Sequence, residues 1–185
     1  MKYVLLFSFL SILSYKALCQ KQVKEYVQQQ MVSVKTIDPA TVDFSDLAPI
    51  GAAIGESRIV MIGEQDHGDG STMLAKSRLV KYLHEEKGFN VLAFEGDFFA
   101  LNEGWEQLPK EGEQIERFLK ENIYPVWSDC GQCGDLLYSY VPSTFLTLSP
   151  LQVTGFDNQI GSFEFSKGQI KKSIDQYLQH KKVKY

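Results

Sequence analysis

A short polar loop combines a histidine with several carboxylates. Residues 63–70 read GEQDHGDG, which places His67 among acidic side chains and between glycines. A carboxylate such as Glu64 can hold one imidazole nitrogen, so that the other nitrogen takes a proton from water. Neighbouring carboxylates also stabilise the protonated imidazolium. The chemistry that this loop indicates is general base catalysis.

Further polar residues follow two other apolar segments of the chain. Glu95 and Asp97 come after NVLAF, and Asp157 and Gln159 come after LQVTG. In open parallel α/β sheets, functional sites form beyond the carboxyl ends of the strands. We therefore expect one rim that comprises Glu64, His67, Glu95, Asp97, Asp157 and Gln159.

Simpler structural roles are also open to these residues. Glu64 and Asp66 could cap the helix that follows the loop, because carboxylates favour a helix N-terminus. His67 could satisfy loop backbone, and Asp157 could be a turn residue. Glu95 is harder to explain in this way, since a charge at the end of a buried strand needs a partner.

Three basic side chains lie outside the loop, and the sequence predicts a different environment for Lys76 than for the two histidines. Lys76 lies on the helix after the loop, where it is either solvated or able to reach back towards His67. His84 and His180 are predicted to be surface residues.

The loop is positioned between a predicted strand and a predicted helix. Residues 58–62, RIVMI, are apolar and β-branched, and residues 71–87 carry apolar side chains at helical spacing with Gly88 as a stop. Residues 90–94 form a second predicted strand. Strands that are apolar throughout belong to parallel sheets flanked by helices, with a right-handed crossover.

The remaining elements complete a predicted α/β fold, with a parallel sheet core flanked by helices. Residues 43–53, 113–122, 134–140 and 167–185 are predicted helices, and residues 151–155 are a third strand. The chain is expected to be an incomplete domain.

The N-terminus resembles a cleavable secretory signal. A lysine precedes an apolar segment that is too short to span a bilayer, and small residues stand before Gln20. We predict a signal peptide over residues 1–19, a polar leader over 20–42 and a domain over 43–185. The expected location is secreted or periplasmic, with lipid anchoring less favoured and no stable membrane span after cleavage.

The mature chain would retain two cysteines, Cys130 and Cys133, in the sequence CGQC. A local disulfide is the expectation for an exported protein. A redox-active pair is less favoured because the expected strand context is missing, and a zinc site lacks a second Cys/His pair.

Composition and missing motifs narrow the function classes. The 185 residues are 44% hydrophobic with a net charge of -4, so the chain is a globular protein without an electrostatic case for binding nucleic acid. No G-x-S-x-G elbow or phosphate-binding glycine loop is present. A metal would usually require a second histidine ligand, so no metal or cofactor is expected.

The segment over residues 43–160 resembles the erythromycin esterase-like hydrolases. The resemblance lies in the G-E-x-x-H-G loop followed by A-F-E at residues 93–95, with weaker matches in YPVW (124–127) and GFDNQ (155–159). It implies an α/β hydrolase that opens ester bonds, macrolide lactones in the named members, without a covalent serine intermediate.

The resemblance also implies roles for particular residues. His67 would be the general base, and Glu64 and Glu95 would orient it or the water. Lys76 stands where many relatives have an arginine near the reacting group, whereas Asp66 replaces a small or hydroxyl residue. Family members are much longer and carry further site histidines in their second half, so the chain is expected to be a fragment.

The predicted partner is a small-molecule ester or lactone. Two other functions stay open: a non-catalytic remnant or binding domain that retains the scaffold, and a metal-dependent hydrolase that uses the same rim.

Overall fold

A computed structural model describes residues 20–64, 66–160 and 164–181. The predicted signal peptide lies outside the described residues. The chain divides into two compact units between Lys35 and Thr36. In the first unit, residues 20–30 form helix α1, whose side chains are all exposed. No described helix combines the length and apolar character that a membrane crossing needs.

The second unit begins at Thr36, and its first residues are hydrogen-bonded to side chains further along the chain. Arg78 donates a hydrogen bond to the backbone carbonyl of Thr36 at 2.9 Å, and Lys81 donates one to that of Pro39 at 3.0 Å. These bonds attach part of the predicted leader to the larger unit.

Two parallel strands form the sheet in the part of the chain that the structure describes. Strand β1 spans Val91–Asp97 and pairs with β2, Gln152–Asp157. The register is regular from Val91 to Phe94 and then shifts, so that Glu95 and Gly96 together face one residue of β2. This bulge re-aims the end of β1 where the sequence predicted the site.

Helices surround the sheet and supply most of the regular structure. After a 3-10 turn at Ser45–Leu47, the helices in chain order are α2 (Ala48–Ile54), α3 (Gly70–Lys87), α4 (Trp105–Gln107), α5 (Gly112–Asn122), α6 (Pro125–Ser128), α7 (Val141–Thr144) and α8 (Glu164–His180). π-Helical turns at Ala100–Gly104 and Asp135–Tyr140 precede α4 and α7, and a 3-10 turn lies at Gly131–Cys133. The fold is a small α/β domain, as predicted.

The first predicted strand, residues 58–62, is not a strand in the structure. Its side chains alternate, with Ile59 and Met61 at 79% and 92% exposure, and Val60 and Ile62 half-buried. The segment has the period of a strand, but it is not hydrogen-bonded into the two-stranded sheet. The apolar, β-branched composition predicted a strand here. A strand also needs a neighbouring strand to pair with, and composition alone does not show whether one is available.

Strand β1 is also less buried than predicted. Val91, Ala93 and Glu95 are exposed on one face, whereas Leu92 and Phe94 are half-buried on the other. Glu95 therefore does not end a strand that is buried on both faces, and its charge is solvated.

The main core lies between the sheet and the helices. Helix α5 contributes Ile115, Phe118 and Leu119, which share one face because they are spaced three and four residues apart. They pack with buried residues of the other elements, including Leu101, Trp105, Trp127, Leu137, Val141, Leu151 and Val153.

Helix α3 is fixed at both ends and in the middle. Gly88 closes it in a left-handed conformation with φ of 71°, as the sequence predicted. Asp69 caps its start by accepting a hydrogen bond from Ser71 N at 3.1 Å. In the middle, Arg78 forms a buried two-point ion pair with Asp46, at 2.6 and 3.0 Å. The loop before α3 is therefore attached to a rigid helix.

Candidate active site

The predicted contact between the loop histidine and its neighbouring glutamate is present. His67 Nδ1 lies 2.7 Å from Glu64 Oε2. The side chain of His67 is 64% exposed, whereas that of Glu64 is 14% exposed. Because a carboxylate accepts, Nδ1 carries the hydrogen, and the neutral ring then presents Nε2 as an acceptor. Nε2 has no hydrogen-bond partner among the described residues, so the arrangement is suited to taking a proton from water.

A tryptophan holds the other oxygen of the same carboxylate. Trp127 Nε1 donates to Glu64 Oε1 at 3.2 Å. The indole also meets the ring of His67 edge-on, with centroids 5.7 Å apart and planes at 87°. Glu64 thus orients His67 while Trp127 orients Glu64.

Opposing effects set the ionisation of Glu64. Burial favours its protonated form, but the hydrogen bonds from Trp127 and His67 and the nearby charge of Lys76 favour the carboxylate. The net result is a pKa of Glu64 below its ordinary value. Lys76 is half-buried on α3, close enough to the loop for its charge to act on Glu64.

An aromatic wall lies beside the Glu64–His67 pair, formed by Trp127, Tyr124 and Phe94. The ring of Trp127 is 5.6 Å from that of Phe94 and 5.9 Å from that of Tyr124. Tyr124 precedes Pro125 at the start of α6, and one helical turn brings Trp127 onto the same side. This short helix therefore supplies two aromatic side chains to the site.

Tyr124 connects the wall to the ends of the strands. Its hydroxyl donates to Asp157 Oδ2 at 3.4 Å. Burial raises the pKa of Tyr124, and the negative charges of Asp157, Asp97 and Glu95 raise it further. The phenol is therefore held in its protonated, hydrogen-bond-donating form. Glu95, exposed on the β1 bulge, is close enough to contribute to this effect.

The chain is similar to erythromycin esterase type II. That protein, from Escherichia coli, is 30% identical over 55% of this chain and 25% of its own length. The "Putative hydrolase YbfO" of Bacillus subtilis is 34% identical over 75% of this chain and 31% of its own length. No family model matches the chain.

A Bacillus cereus protein of known crystal structure has a similar fold. The TM-score is 0.65 and the identity 25%, over 86% of this chain and 37% of that protein. The chain spans about a third of the Bacillus subtilis relative and a quarter of the Escherichia coli relative, which leaves the activity of a whole relative open.

Two of the predicted substrate contacts have other surroundings. Asp97 is fully buried, with Oδ1 accepting from the backbone N–H groups of Phe99 and Ala100 at 2.9 and 3.0 Å. Its Oδ2 accepts from Ser166 Oγ at 2.6 Å. Asp97 therefore joins the end of β1 to α8, with both of its carboxylate oxygens engaged in these bonds. Gln159 is exposed, and its backbone N–H donates to Asp157 Oδ1 at 3.0 Å.

Asp157 combines the two roles that the sequence left open. It closes the turn that contains Gln159, and it also accepts from Tyr124 at the rim. The helix cap, in contrast, belongs to Asp69 and to neither Glu64 nor Asp66. Hydrogen bonds from Thr72 and Ser71 lower the pKa of Asp69.

His84 is buried, contrary to the prediction of a surface residue. Its Nδ1 lies 2.7 Å from Tyr140 Oη, and its Nε2 donates to the backbone carbonyl of Ser149 at 2.9 Å. His180 is exposed on α8, as predicted.

The predicted disulfide is absent from the structure. Cys130 and Cys133 are both free thiols. The 3-10 turn directs Cys133 into the main core, while Cys130 stays half-buried and next to it. No cluster of three or more metal-ligating side chains occurs in residues 20–64, 66–160 and 164–181.

Sequence reasoning did not assign Trp127 and Tyr124 to the site. The signal was present in YPVW, a proline flanked by two aromatic residues at helical spacing. The motif counted only as a weak match to the esterase-like hydrolases. The bonds to Glu64 and Asp157 are what give the two side chains a functional context.

Proposed function

We propose that the chain is a hydrolase domain that acts on ester bonds, with His67 as the general base. The observation that carries the proposal is the 2.7 Å contact between His67 Nδ1 and Glu64 Oε2. It fixes the ring so that the exposed Nε2 takes a proton from water as the water attacks the ester carbonyl carbon. The similarity to erythromycin esterase type II supports the reaction class.

The surrounding residues have distinct proposed roles. Glu64 holds the ring and stabilises the imidazolium, which returns its proton to the leaving alcohol. Lys76 and Tyr124 bind oxygens of the substrate, the first as a cation and the second as a neutral donor. Glu95 helps to orient the water at the exposed end of β1. Phe94, half-buried and packed against the buried Trp127, offers apolar surface to a lactone or an alkyl ester.

The test is hydrolysis of a panel of lactones and simple esters by the 185-residue chain and by His67→Gln. We expect the wild-type chain to hydrolyse at least one ester and the variant to lose that activity, with circular dichroism unchanged. Failure of the wild-type chain on every ester, or equal rates for the two proteins, would contradict the proposal. Equal rates would point away from His67 even if the chain is a hydrolase.

A further inference from the structure

The two free thiols lie next to each other beside the candidate active site. Cys130 is half-buried, with its thiol donating to Gln132 Oε1 at 3.5 Å, and Cys133 is buried in the core. The turn that carries both is closed by Cys133 N, which donates to the Cys130 carbonyl at 3.0 Å. The charges of Glu64 and Lys76 reach the Cys133 thiol. The pair is therefore a neighbour of the carboxylate that holds His67.

The turn that carries the thiols contacts both elements that build the site. Cys130 N donates to the backbone carbonyl of Trp127 at 3.2 Å, which joins the turn to α6. On the other side, the Gln132 side chain fills the space above Gly70, the first residue of α3. A Cβ atom at Gly70 would lie 2.9 Å from Gln132 Cδ. We therefore expect a change in the shape of this turn to disturb its contacts with α6 and α3.

We propose that Cys130 and Cys133 form a reversible oxidation site, whose conversion to a disulfide shifts Trp127 relative to Glu64. The oxidant is a small disulfide such as oxidised glutathione. Cys130, the more accessible thiol, attacks it as a thiolate, forming a mixed disulfide and releasing one thiol. Cys133 then attacks the Cys130 sulfur and displaces the second thiol. One small disulfide is thereby reduced to two thiols, and the protein loses two hydrogens.

The order of these steps follows from burial. The apolar surroundings of Cys133 raise its pKa to about 12, with the Cys130 thiol and the Glu64 charge acting in the same direction. A thiol of this kind is a poor first nucleophile. It is nevertheless well placed as the second one, because the sulfur that it must reach is its neighbour.

The disulfide would change the geometry of the turn. A covalent S–S bond is about 2.0 Å long, much shorter than a contact between two thiols. The Cys133 side chain is packed in the core, so we expect the half-buried Cys130 to make most of the movement. Cys130 N is bonded to Trp127 O, and Trp127 Nε1 is bonded to Glu64.

The experiment equilibrates the full chain in buffers with different ratios of oxidised to reduced glutathione. Alkylation of the remaining thiols and peptide mapping identify the bonded cysteines, and Trp fluorescence is recorded on the same samples. We expect a Cys130–Cys133 linkage that dithiothreitol reverses, accompanied by an emission change that is absent from Trp127→Phe. Cys130→Ser and Cys133→Ala should each lose the reversible change.

Three results would overturn the proposal. Both thiols could remain open to alkylation at every glutathione ratio. The oxidised chain could instead contain a different linkage, through Cys19. Finally, the Cys130–Cys133 disulfide could form while the Trp127 emission stays constant. That result would show that oxidation does not change the surroundings of Trp127. None of these outcomes depends on ester hydrolysis, so the proposal fails independently of the proposed function.

Discussion

Trp127 Nε1 lies 3.2 Å from Glu64 Oε1, and this bond joins residues that are 63 positions apart in the chain. It fixes the carboxylate that fixes His67, so the orientation of the exposed imidazole depends on a buried indole of another element. The bond also favours the charged form of Glu64.

Trp127→Phe removes the N–H donor but keeps an aromatic ring against Phe94 and Tyr124. A hydrogen bond to a charged group contributes about 1.5–3 kcal/mol, so we expect a loss of this size in the free energy of unfolding at neutral pH. The pKa of Glu64 should rise towards its ordinary value. Chemical denaturation and NMR titration of the Glu64 carboxyl measure the two effects.

Trp105→Phe is the matched control, because its indole donates to Gln152 Oε1 at 3.0 Å, away from the loop. It should lower stability without moving the pKa of Glu64. Equal Glu64 titrations in wild type and Trp127→Phe would refute the orienting role of the indole.

His67→Gln tests the general base directly. General base catalysis contributes about 10²–10⁴-fold, so the rate of ester hydrolysis should fall by at least about a hundredfold. The free energy of unfolding should change by less than about 0.5 kcal/mol, because the side chain is largely exposed. Steady-state kinetics and denaturation report these values. His180→Gln, at an exposed position on α8, should alter neither.

Glu64→Gln should change the pH dependence of stability. The folded pKa of Glu64 is depressed, so its contribution is complete above the unfolded pKa and is lost as the pH falls through the folded pKa. The difference in the free energy of unfolding between wild type and variant should therefore shrink in acid, below the ordinary value of 4.5. Glu86→Gln, at an exposed position on α3, is the matched control.

The sequence predicted the elements whose signals are local. The helical spacing of apolar residues and the glycine stop were sufficient to predict α3. The apolar character of residues 90–94 and 151–155 located both strands of the described sheet. Residues 58–62 carry the same composition but do not pair, since pairing depends on another part of the chain. The Glu64–His67 contact was predictable because the two residues share one loop.

The remaining features depend on distant contacts that a single sequence does not reveal. Asp97 looked like a rim residue, but Ser166 on α8 covers it. His84 is buried because Tyr140 and Ser149 bind its two nitrogens. Trp127 became part of the site through Glu64, a partner far away in the chain.

Tyr124→Phe tests substrate binding at the other end of the aromatic wall. Loss of the hydroxyl should raise the KM for a susceptible ester by about tenfold, corresponding to one hydrogen bond, and should change kcat much less. Protein stability should change little, because the bond to Asp157 is long at 3.4 Å. Tyr177→Phe, at an exposed position on α8, is the control. A fall in kcat with an unchanged KM would instead place Tyr124 in the chemical step.

Arg78→Met tests whether the buried ion pair holds the scaffold behind the site. Arg78 binds both oxygens of Asp46 and the backbone carbonyls of Thr36 and Asp43. Removal of one partner from a buried pair costs about 3–5 kcal/mol, because the other charge stays buried. We expect a loss of this size in the free energy of unfolding, measured by urea denaturation.

Arg117→Met provides the comparison, since that arginine is exposed on α5 and its loss should cost less than about 0.5 kcal/mol. Arg78→Lys should remain closer to Arg78→Met than to wild type, because an ammonium group cannot reproduce the two-point geometry. A lysine variant as stable as wild type would show that charge alone is sufficient. The attachment of residues 36–46 to α3 would then not depend on the guanidinium group.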